Sequence, residues 1–285
     1  MGLFQQFYAR RRHGLLAWSL ASAFEARSVE SCAGFVRPTR WLHADRGGAM
    51  DGKFELAVRK YWETREQQTA RQIAEGKQDA GLRGAVTGGA HLDALTQLIV
   101  EHFVDVLGYP ASSISLGKKA ELPGYYRPTK QWDLIVKNGT QLVAAIEFKS
   151  QSGPSFGNNF NNRTEEAIGS AVDTQRAISH GLLGDARPWL GYVFLLEDAD
   201  GSTQSAKRDF KPSFKVDEAF EGRPSYADRY QVLCRRLVED ELYDAACFVL
   251  APKDLERPIS QPDSQLTFAG FIELLTKHVR KEPGL

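Results

Sequence analysis

Three charged residues in the middle of the chain have the types and spacing that metal-assisted hydrolysis requires. Thirteen residues separate Asp133 from Glu147, and Lys149 follows Glu147 two positions later. Residues i and i+2 of a β-strand point to the same face, so Glu147 and Lys149 project together if they lie on a strand. Carboxylate oxygens suit Mg²⁺, and a neighbouring ammonium can orient water or neutralise an oxyanion. The pattern predicts the active site of a metal-dependent nuclease.

The context of the pattern matters because its spacing alone has low specificity. Surface strands commonly carry Glu and Lys two positions apart as a solvated face. Here, however, Glu147 and Lys149 end an apolar run, residues 142–146. Charges at the end of such a run are costly unless they have a partner or a function. This context favours the functional interpretation.

Asp133 joins the other two residues only if a hairpin has the right register. Two apolar runs, 132–136 and 142–148, flank an Asn-Gly pair at 138–139, which is a β-hairpin signal. A two-residue Asn-Gly turn would place Asp133 on the opposite face from Glu147. Pairing centred near residue 140 places the two carboxylates opposite each other on one face. We therefore predict a hairpin loop with an odd number of residues, for instance three.

The chain from residue 50 onward alternates between helical and strand patterns, so we predict an α/β fold. Besides the hairpin, the pattern predicts strands over 189–196 and 245–250 and helices over 54–74, 91–107, 164–183, 226–239 and 266–280. We expect a Gly-rich linker at 81–89, a loop rich in Gly and Asn at 153–162, and a long polar loop at 198–224.

The first 49 residues differ from the rest in composition. Three arginines at 10–12 precede the apolar run 15–24, and no acidic residue occurs before Glu25. This stretch fits a secretory signal, an ordered arm, or translation from an early start with the natural protein beginning at Met50. The last is favoured because the patterning improves from Asp51 onward. We predict a non-native leader or disordered arm over 1–49 and one domain over 50–285, with a catalytic core of about 91–200.

Composition excludes some classes of protein. The sequence has no run of about 18 apolar residues, so we expect no membrane span and a cytoplasmic location. Three cysteines are too few for a disulfide framework. The 36 basic and 36 acidic residues balance overall, but residues 111–163 hold seven basic residues (Lys118, Lys119, Arg127, Lys130, Lys137, Lys149, Arg163) and three acidic ones (Glu121, Asp133, Glu147). A nucleic-acid partner is therefore compatible with the zero net charge.

Two stretches around the charged residues resemble the XhoI family of type II restriction endonucleases. They are LPGYYRPTKQWD, from Leu122 to Asp133, and EFKSQSGPSFGNNFNNRTEEAIG, from Glu147 to Gly169. The resemblance is near-continuous from about 122 to 171 and extends weakly into 191–198 and 226–236. The chain departs from the motif name PD-(D/E)xK at one position: Trp132 stands where the name has a proline, a common variation in such nucleases.

The resemblance implies a fold, an activity and partners. The implied fold is the PD-(D/E)xK restriction-endonuclease-like fold, a central mixed β-sheet flanked by helices. The implied activity is Mg²⁺-dependent cleavage of double-stranded DNA at the palindrome CTCGAG, with Asp133, Glu147 and Lys149 as catalytic residues. A palindromic site predicts a homodimer in which each subunit cuts one strand. The functional partner would be a matching DNA methyltransferase.

Further residues near this region have two interpretations each. Glu101 is either an additional acidic metal ligand or a solvated charge of its helix. Tyr125, Arg127 and Lys130 can hold DNA phosphates, although the tyrosine suits packing equally well. The amide-rich stretch is either a DNA-reading loop or a set of turn formers, and its members are Asn158, Asn159, Asn161, Asn162 and Arg163. We favour DNA contact there, because four amides and an arginine exceed what one turn needs.

Two other functions remain compatible with the sequence. One is a nuclease of the same fold that acts in DNA repair or on branched DNA, which would give structure-specific cuts instead of discrete plasmid fragments. The other is a catalytically silent DNA-binding relative. The second is less favoured, because a binding module has no use for Asp133, Glu147 and Lys149 together.

Overall fold

The computed structural model describes residues 44–74, 92–206, 213–254 and 256–281. The helices are α1 (Ala44–Ala74), α2 (Asp93–Glu101), α3 (Phe156–Ser179), α4 (Asp200–Thr203), α5 (Tyr226–Glu239) and α6 (Phe268–Val279), and α2 continues as a π-helical turn, His102–Val106. The strands are β1 (Ile114–Leu116), β2 (Glu121–Pro123), β3 (Thr129–Gln131), β4 (Leu134–Asn138), β5 (Gln141–Gln151), β6 (Trp189–Glu197) and β7 (Ala245–Ala251).

Five strands form one mixed sheet in the order β1-β4-β5-β6-β7. β1, β4 and β5 pair antiparallel, whereas β5, β6 and β7 pair parallel. The two parallel connections carry α3 and α5, as the long crossovers of parallel strands require. β2 and β3 form a separate antiparallel pair. The long strand β5 therefore joins the antiparallel half of the main sheet to its parallel half.

Helices cover both faces of the five-stranded sheet, which explains why β6 is buried along its whole length. One core lies between the sheet and helices α1, α2 and α6. A second core lies between the sheet and helices α3 and α5. On β5, Ile146 and Phe148 belong to the first core. Because side chains alternate along a strand, Glu147 and Lys149 face the α3 side.

The hairpin between β4 and β5 has a two-residue loop. Asn138 pairs with Gln141, so residues 139 and 140 form the loop. Gly139 has a φ of +59°, as the first residue of such a tight turn commonly requires. The predicted hairpin is confirmed, but the predicted odd-numbered loop is wrong.

A β-bulge beside this loop accommodates the one residue that the two-residue loop does not. Lys137 pairs with Leu142, but the next pair is Val136 with Ala144, so Val143 has no partner of its own. Val143 and Ala144 consequently both contact the α1 side of the sheet, although they are neighbours on one strand. The bulge reverses the face of every residue beyond it.

The other predicted elements are confirmed with shifted ends, except at the start of α3. The loop predicted over 153–162 is wrong from Phe156 onward, because α3 begins there instead of at Thr164. Phe156 stacks on Tyr226, and Phe160 meets Tyr230 edge-on at 5.0 Å between ring centroids. These contacts with α5 hold an asparagine-rich segment in a helix against its local preference for turns.

The remaining predictions have mixed outcomes. The stretch 198–224 contains α4 and a 3₁₀ turn, Glu218–Phe220, and is otherwise irregular where it is described. Helix α1 begins at Ala44, before residue 54, where the helix was predicted to begin, and before residue 50, where the domain was predicted to begin. The leader up to residue 43 and the linker 81–89 lie outside the described residues. Among the helices of the described ranges, none combines the length and apolar character needed to cross a membrane.

Candidate active site

Asp133, Glu147 and Lys149 come together at the end of the hairpin remote from its loop. Lys149 Nζ donates a hydrogen bond to Glu147 Oε1 and lies 3.8 Å from Asp133 Oδ2. Leu134 pairs with Ile146 in the register beyond the bulge, and one further step along both strands places Asp133 opposite Glu147. The structure therefore brings the three predicted residues to one place on one face.

The two carboxylates of this group differ in exposure. The side chain of Glu147 is 7% exposed, whereas that of Asp133 is 40% exposed. Asp133 Oδ2 accepts a hydrogen bond from the Phe148 amide nitrogen at 2.7 Å, which fixes its side chain against β5. Asp133 thus lies at the opening of the site and Glu147 lies beneath it.

A second lysine joins the group from β3. Lys130 Nζ lies 3.0 Å from Glu147 Oε2 and donates to the Gln131 carbonyl oxygen at 3.0 Å. The ammonium also lies 4.7 Å from the ring centroid of Trp132. The Lys130 side chain is buried, unlike the exposed phosphate contact that we predicted for it. Its partner in the structure is Glu147.

Opposite charges inside this group set the direction of each pKa. Burial alone would raise the pKa of Glu147, but the ammonium groups of Lys149 and Lys130 outweigh burial and lower it. Burial and the neighbouring Glu147 raise the pKa of Asp133. Burial opposes the charged form of Lys149, but Glu147 and Asp133 outweigh burial and raise its pKa. Glu147 and Lys149 are therefore held in their charged forms.

Glu101 does not belong to this group. Helix α2 packs on the opposite face of the sheet, and Glu101 pairs with Lys53 of α1 at 3.5 Å. Within the described ranges, no group of three or more His, Cys, Asp or Glu residues could hold a metal ion. The predicted additional ligand is therefore wrong, and its interpretation as a helix surface charge fits the structure.

The predicted amide-rich loop is the first part of α3. Asn158, Asn161 and Asn162 are exposed, and their spacing places them on one face of the helix. Asn159 is half-buried. Arg163 is turned toward the protein: its side chain is 18% exposed and pairs with Glu166 of the same helix. The structure thus separates the arginine from the exposed asparagines.

The turn between β2 and β3 carries the other two predicted DNA contacts. Tyr125 is partly exposed, and Arg176 lies over its ring with 5.1 Å between the guanidinium carbon and the ring centroid. Arg127 donates from Nε to Asp173 Oδ2 at 2.6 Å. Asp173 Oδ1 also accepts the amides of Tyr125 and Tyr126, each at 2.8 Å. Asp173, which the sequence analysis missed, therefore holds this turn against α3.

A buried glutamine was also missed. Gln151 follows Glu147 and Lys149 in the i, i+2, i+4 series of β5 and is 3% exposed. Its Nε2 donates to the Phe156 carbonyl oxygen at 3.0 Å, and its Oε1 accepts the Tyr230 hydroxyl. The period of two could have found Gln151 as a member of the same face. It ties the beginning of α3 to the strand that carries Glu147 and Lys149.

Comparison with known proteins assigns the chain to a family. The family model described as restriction endonuclease XhoI matches residues 71–260. The chain belongs to this family. The match contains all the residues that form the group around Glu147, together with the exposed face of α3.

Named relatives agree with this assignment. The chain is 40% identical over 220 residues to the type II restriction enzyme BstVI of Geobacillus stearothermophilus. The aligned region covers 74% of this chain and 96% of that enzyme. It is 43% identical over 206 residues to the type II restriction enzyme XhoI of Xanthomonas vasicola, covering 71% and 79%. It is 41% identical over 176 residues to AbrI of Azospirillum brasilense, covering 61% and 78%. No solved structure matches the chain.

The family defines the enzyme class. The chain is a type II restriction endonuclease, a site-specific deoxyribonuclease that acts on double-stranded DNA. Enzymes of this class generally use a divalent metal ion, and the carboxylate oxygens of Asp133 and Glu147 are of the hard type that such an ion prefers.

Proposed function

We propose that this endonuclease has the PD-(D/E)xK fold and cleaves both strands of the palindrome CTCGAG with Mg²⁺, using Asp133, Glu147 and Lys149. The observation that carries the proposal is the convergence of these three side chains on one face of β4 and β5 in a member of the XhoI family. The palindrome is the part that rests on the resemblance alone.

The residues present fit a Mg²⁺ site. Asp133 and Glu147 offer carboxylate oxygens, and Mg²⁺ typically takes one or two carboxylates while water and phosphate oxygens complete its shell. The lack of a third acidic residue around them in the described ranges is compatible with that preference. When bound, the ion would supply an activated water and stabilise the charge on the phosphate under attack.

The side chains of the site have separate tasks in this proposal. Lys149 is held between the two carboxylates by Glu147 and points its ammonium toward Asp133 at the opening. There it can donate hydrogen bonds to the attacking water or to a non-bridging phosphate oxygen. Asp133, fixed by the Phe148 amide, faces the DNA side. Glu147 keeps Lys149 charged and in place.

DNA recognition is assigned to the surface beside the site. The exposed amides of Asn158, Asn161 and Asn162 can form the paired hydrogen bonds that read adenine in the major groove. Asn159, which is half-buried beside them, supplies a contact at the edge of this face. Tyr125 and Arg127 hold backbone phosphates from the turn between β2 and β3.

The assembly follows from the symmetry of the site. A two-fold palindrome is matched by two copies of the chain, each cutting one strand. The enzyme would act in the cytoplasm, where a methyltransferase of the same specificity protects the host DNA.

The test is cleavage of plasmid DNA that contains CTCGAG, in the presence of Mg²⁺. Lys149→Ala should lower the cleavage rate by at least about 10²-fold while binding of the same duplex persists. Lys137→Ala, which removes an exposed lysine from the same hairpin, is the matched control and should cleave normally. Undiminished cleavage by Lys149→Ala would refute the assignment, and fragments with other ends would refute the proposed sequence.

A further inference from the structure

Both carboxylate oxygens of Glu147 are engaged by lysines. Lys149 contacts Oε1, and Lys130 Nζ lies 3.0 Å from Oε2. The Lys130 side chain is 8% exposed and that of Glu147 is 7% exposed, so water screens this pair weakly. An ion that uses Glu147 as a ligand therefore competes with two ammonium groups for the negative charge of this carboxylate.

Lys130 is held in this position by contacts of its own. Its ammonium donates to the Gln131 carbonyl oxygen and lies over the ring of Trp132. It comes from β3, in the small two-stranded sheet, whereas Glu147 and Lys149 share β5. Two elements of separate sheets thus meet at one carboxylate, which is more than a solvated surface pair needs.

The charges of the group balance. Asp133 and Glu147 carry two negative charges, and Lys130 and Lys149 carry two positive charges. A divalent cation that enters this group gains little net attraction from it. A DNA phosphate adds a negative charge beside Asp133, where the site opens, and makes the group attractive to a cation.

We propose that Lys130 is a positioning residue of the metal site: it holds Glu147 as an internal counter-cation, weakens metal binding in the DNA-free enzyme, and leaves Glu147 when a divalent cation binds. The inference rests on the metal site of the proposed function. Its consequence is that metal loading depends on DNA. Because coupling between ligands is reciprocal, the metal then strengthens DNA binding by the same factor.

The first experiment measures Mn²⁺ binding to the DNA-free full-length protein by electron paramagnetic resonance of free Mn²⁺. Lys130→Met should bind Mn²⁺ roughly 10- to 100-fold more tightly than the unaltered protein. Lys130→Arg, which keeps the charge, and Lys137→Met, which removes an exposed lysine of the neighbouring β4–β5 hairpin, should bind as the unaltered protein does. Equal or weaker binding by a folded Lys130→Met overturns the proposal.

A further variant separates this proposal from the proposed function. Asp133→Asn should weaken Mn²⁺ binding at least tenfold. If Asp133→Asn binds as tightly as the unaltered protein, the ion does not use this site and the proposed metal site fails. If Asp133→Asn loses Mn²⁺ while Lys130→Met gains nothing, the role of Lys130 alone fails.

A second measurement needs no variant and covers the case in which Lys130→Met does not fold. Acetic anhydride labels accessible lysines, and peptide mass spectrometry counts the label at each position. We expect Lys130 to be protected in the metal-free protein and labelled severalfold faster at saturating Mn²⁺, with Lys137 as the exposed internal standard. Labelling of Lys130 that does not change with Mn²⁺ overturns the proposal.

Discussion

Asp133 Oδ2 accepts a hydrogen bond from the backbone amide of Phe148 at 2.7 Å. The bond joins the residue before β4 to the middle of β5, beyond the last backbone pair between the two strands, Leu134 with Ile146. The Asp133 carboxylate is thereby positioned by the strand that carries Glu147 and Lys149. Its position relative to them does not depend on a flexible loop.

The first prediction separates the chemistry of Asp133 from its structural role. Asp133→Asn keeps an oxygen acceptor for Phe148 and removes repulsion with Glu147, so the free energy of unfolding should change by less than about 1 kcal/mol. Cleavage of plasmid DNA should fall at least about 10²-fold. Asp133→Leu, which has no acceptor, should cost roughly 1–3 kcal/mol in urea unfolding. Equal stability of the Asn and Leu variants would contradict the hydrogen bond's role.

The second prediction concerns the exposed face of α3. Asn161→Ala and Asn162→Ala should each reduce discrimination between CTCGAG and single-base variants by about 1–3 kcal/mol, because paired amide contacts to a base are lost. Alanine favours helix more than asparagine does, so stability should rise by a few tenths of a kcal/mol. Competition binding with variant duplexes measures discrimination. Glu165→Gln, an exposed neighbour on the same helix, is the control and should leave discrimination unchanged.

The third prediction concerns the buried pair Gln151 and Tyr230. Tyr230→Phe leaves Gln151 Oε1 without the hydroxyl that donates to it and should cost about 1–3 kcal/mol in unfolding free energy. Because Gln151 Nε2 holds the beginning of α3, binding of CTCGAG should weaken more than binding of non-specific DNA. Tyr126→Phe, at a residue that is 68% exposed, is the matched control. A stable variant with normal discrimination would show that α3 holds its place without this bond.

The fourth prediction is a pH dependence at Asp173. Burial opposes its charge, but the amide of Tyr126, the Arg127 side chain and the amide of Tyr125 outweigh burial and lower the pKa of Asp173. A carboxylate with a depressed pKa contributes stability that is complete above its unfolded pKa, about 3.9, and is lost as the pH falls through its folded pKa. Asp173→Asn should therefore be less stable than the unaltered protein by roughly 1–3 kcal/mol at pH 7.

This stability difference should shrink as the pH falls below about 4. Urea unfolding of both proteins at pH 7, 5 and 3.5 measures it. A difference that stays constant over this range would mean that the charge of Asp173 does not hold the turn.

The hairpin shows how far the sequence could predict the site. Two apolar runs on either side of Asn138 and Gly139 located both strands, and the period of two placed Glu147 and Lys149 on one face. The predicted register was wrong at one residue, because Val143 is as apolar as its neighbours and nothing in its type indicates a bulge. With thirteen residues between Asp133 and Glu147 and a two-residue loop, the contact between Asp133 and Lys149 depends on that bulge.

The start of α3 failed for a different reason. Asparagine and glycine favour turns, and residues 153–162 contain both. The helix forms because Phe156 and Phe160 pack on α5, far away in the sequence. The contact of Lys130 with Glu147 could not be predicted for the same reason. The charge of Lys130 was visible in the sequence, but Glu147 lies on a strand of the other sheet.

The bulge at Val143 divides the pairing of β4 with β5 into two parts. The loop and the pairs next to it lie on one side of the bulge, and the pairs from Val136 with Ala144 onward lie on the other side. Substitutions in the loop that keep its length leave the pairs beyond the bulge unchanged. Deletion of residue 143 would close the bulge and keep Lys137 opposite Leu142 and Val136 opposite Ala144, so Asp133 would still lie opposite Glu147. The relative position of the two carboxylates therefore depends on the pairing of Val136 with Ala144, and the bulge is the place where one extra residue is accommodated without disturbing that pairing.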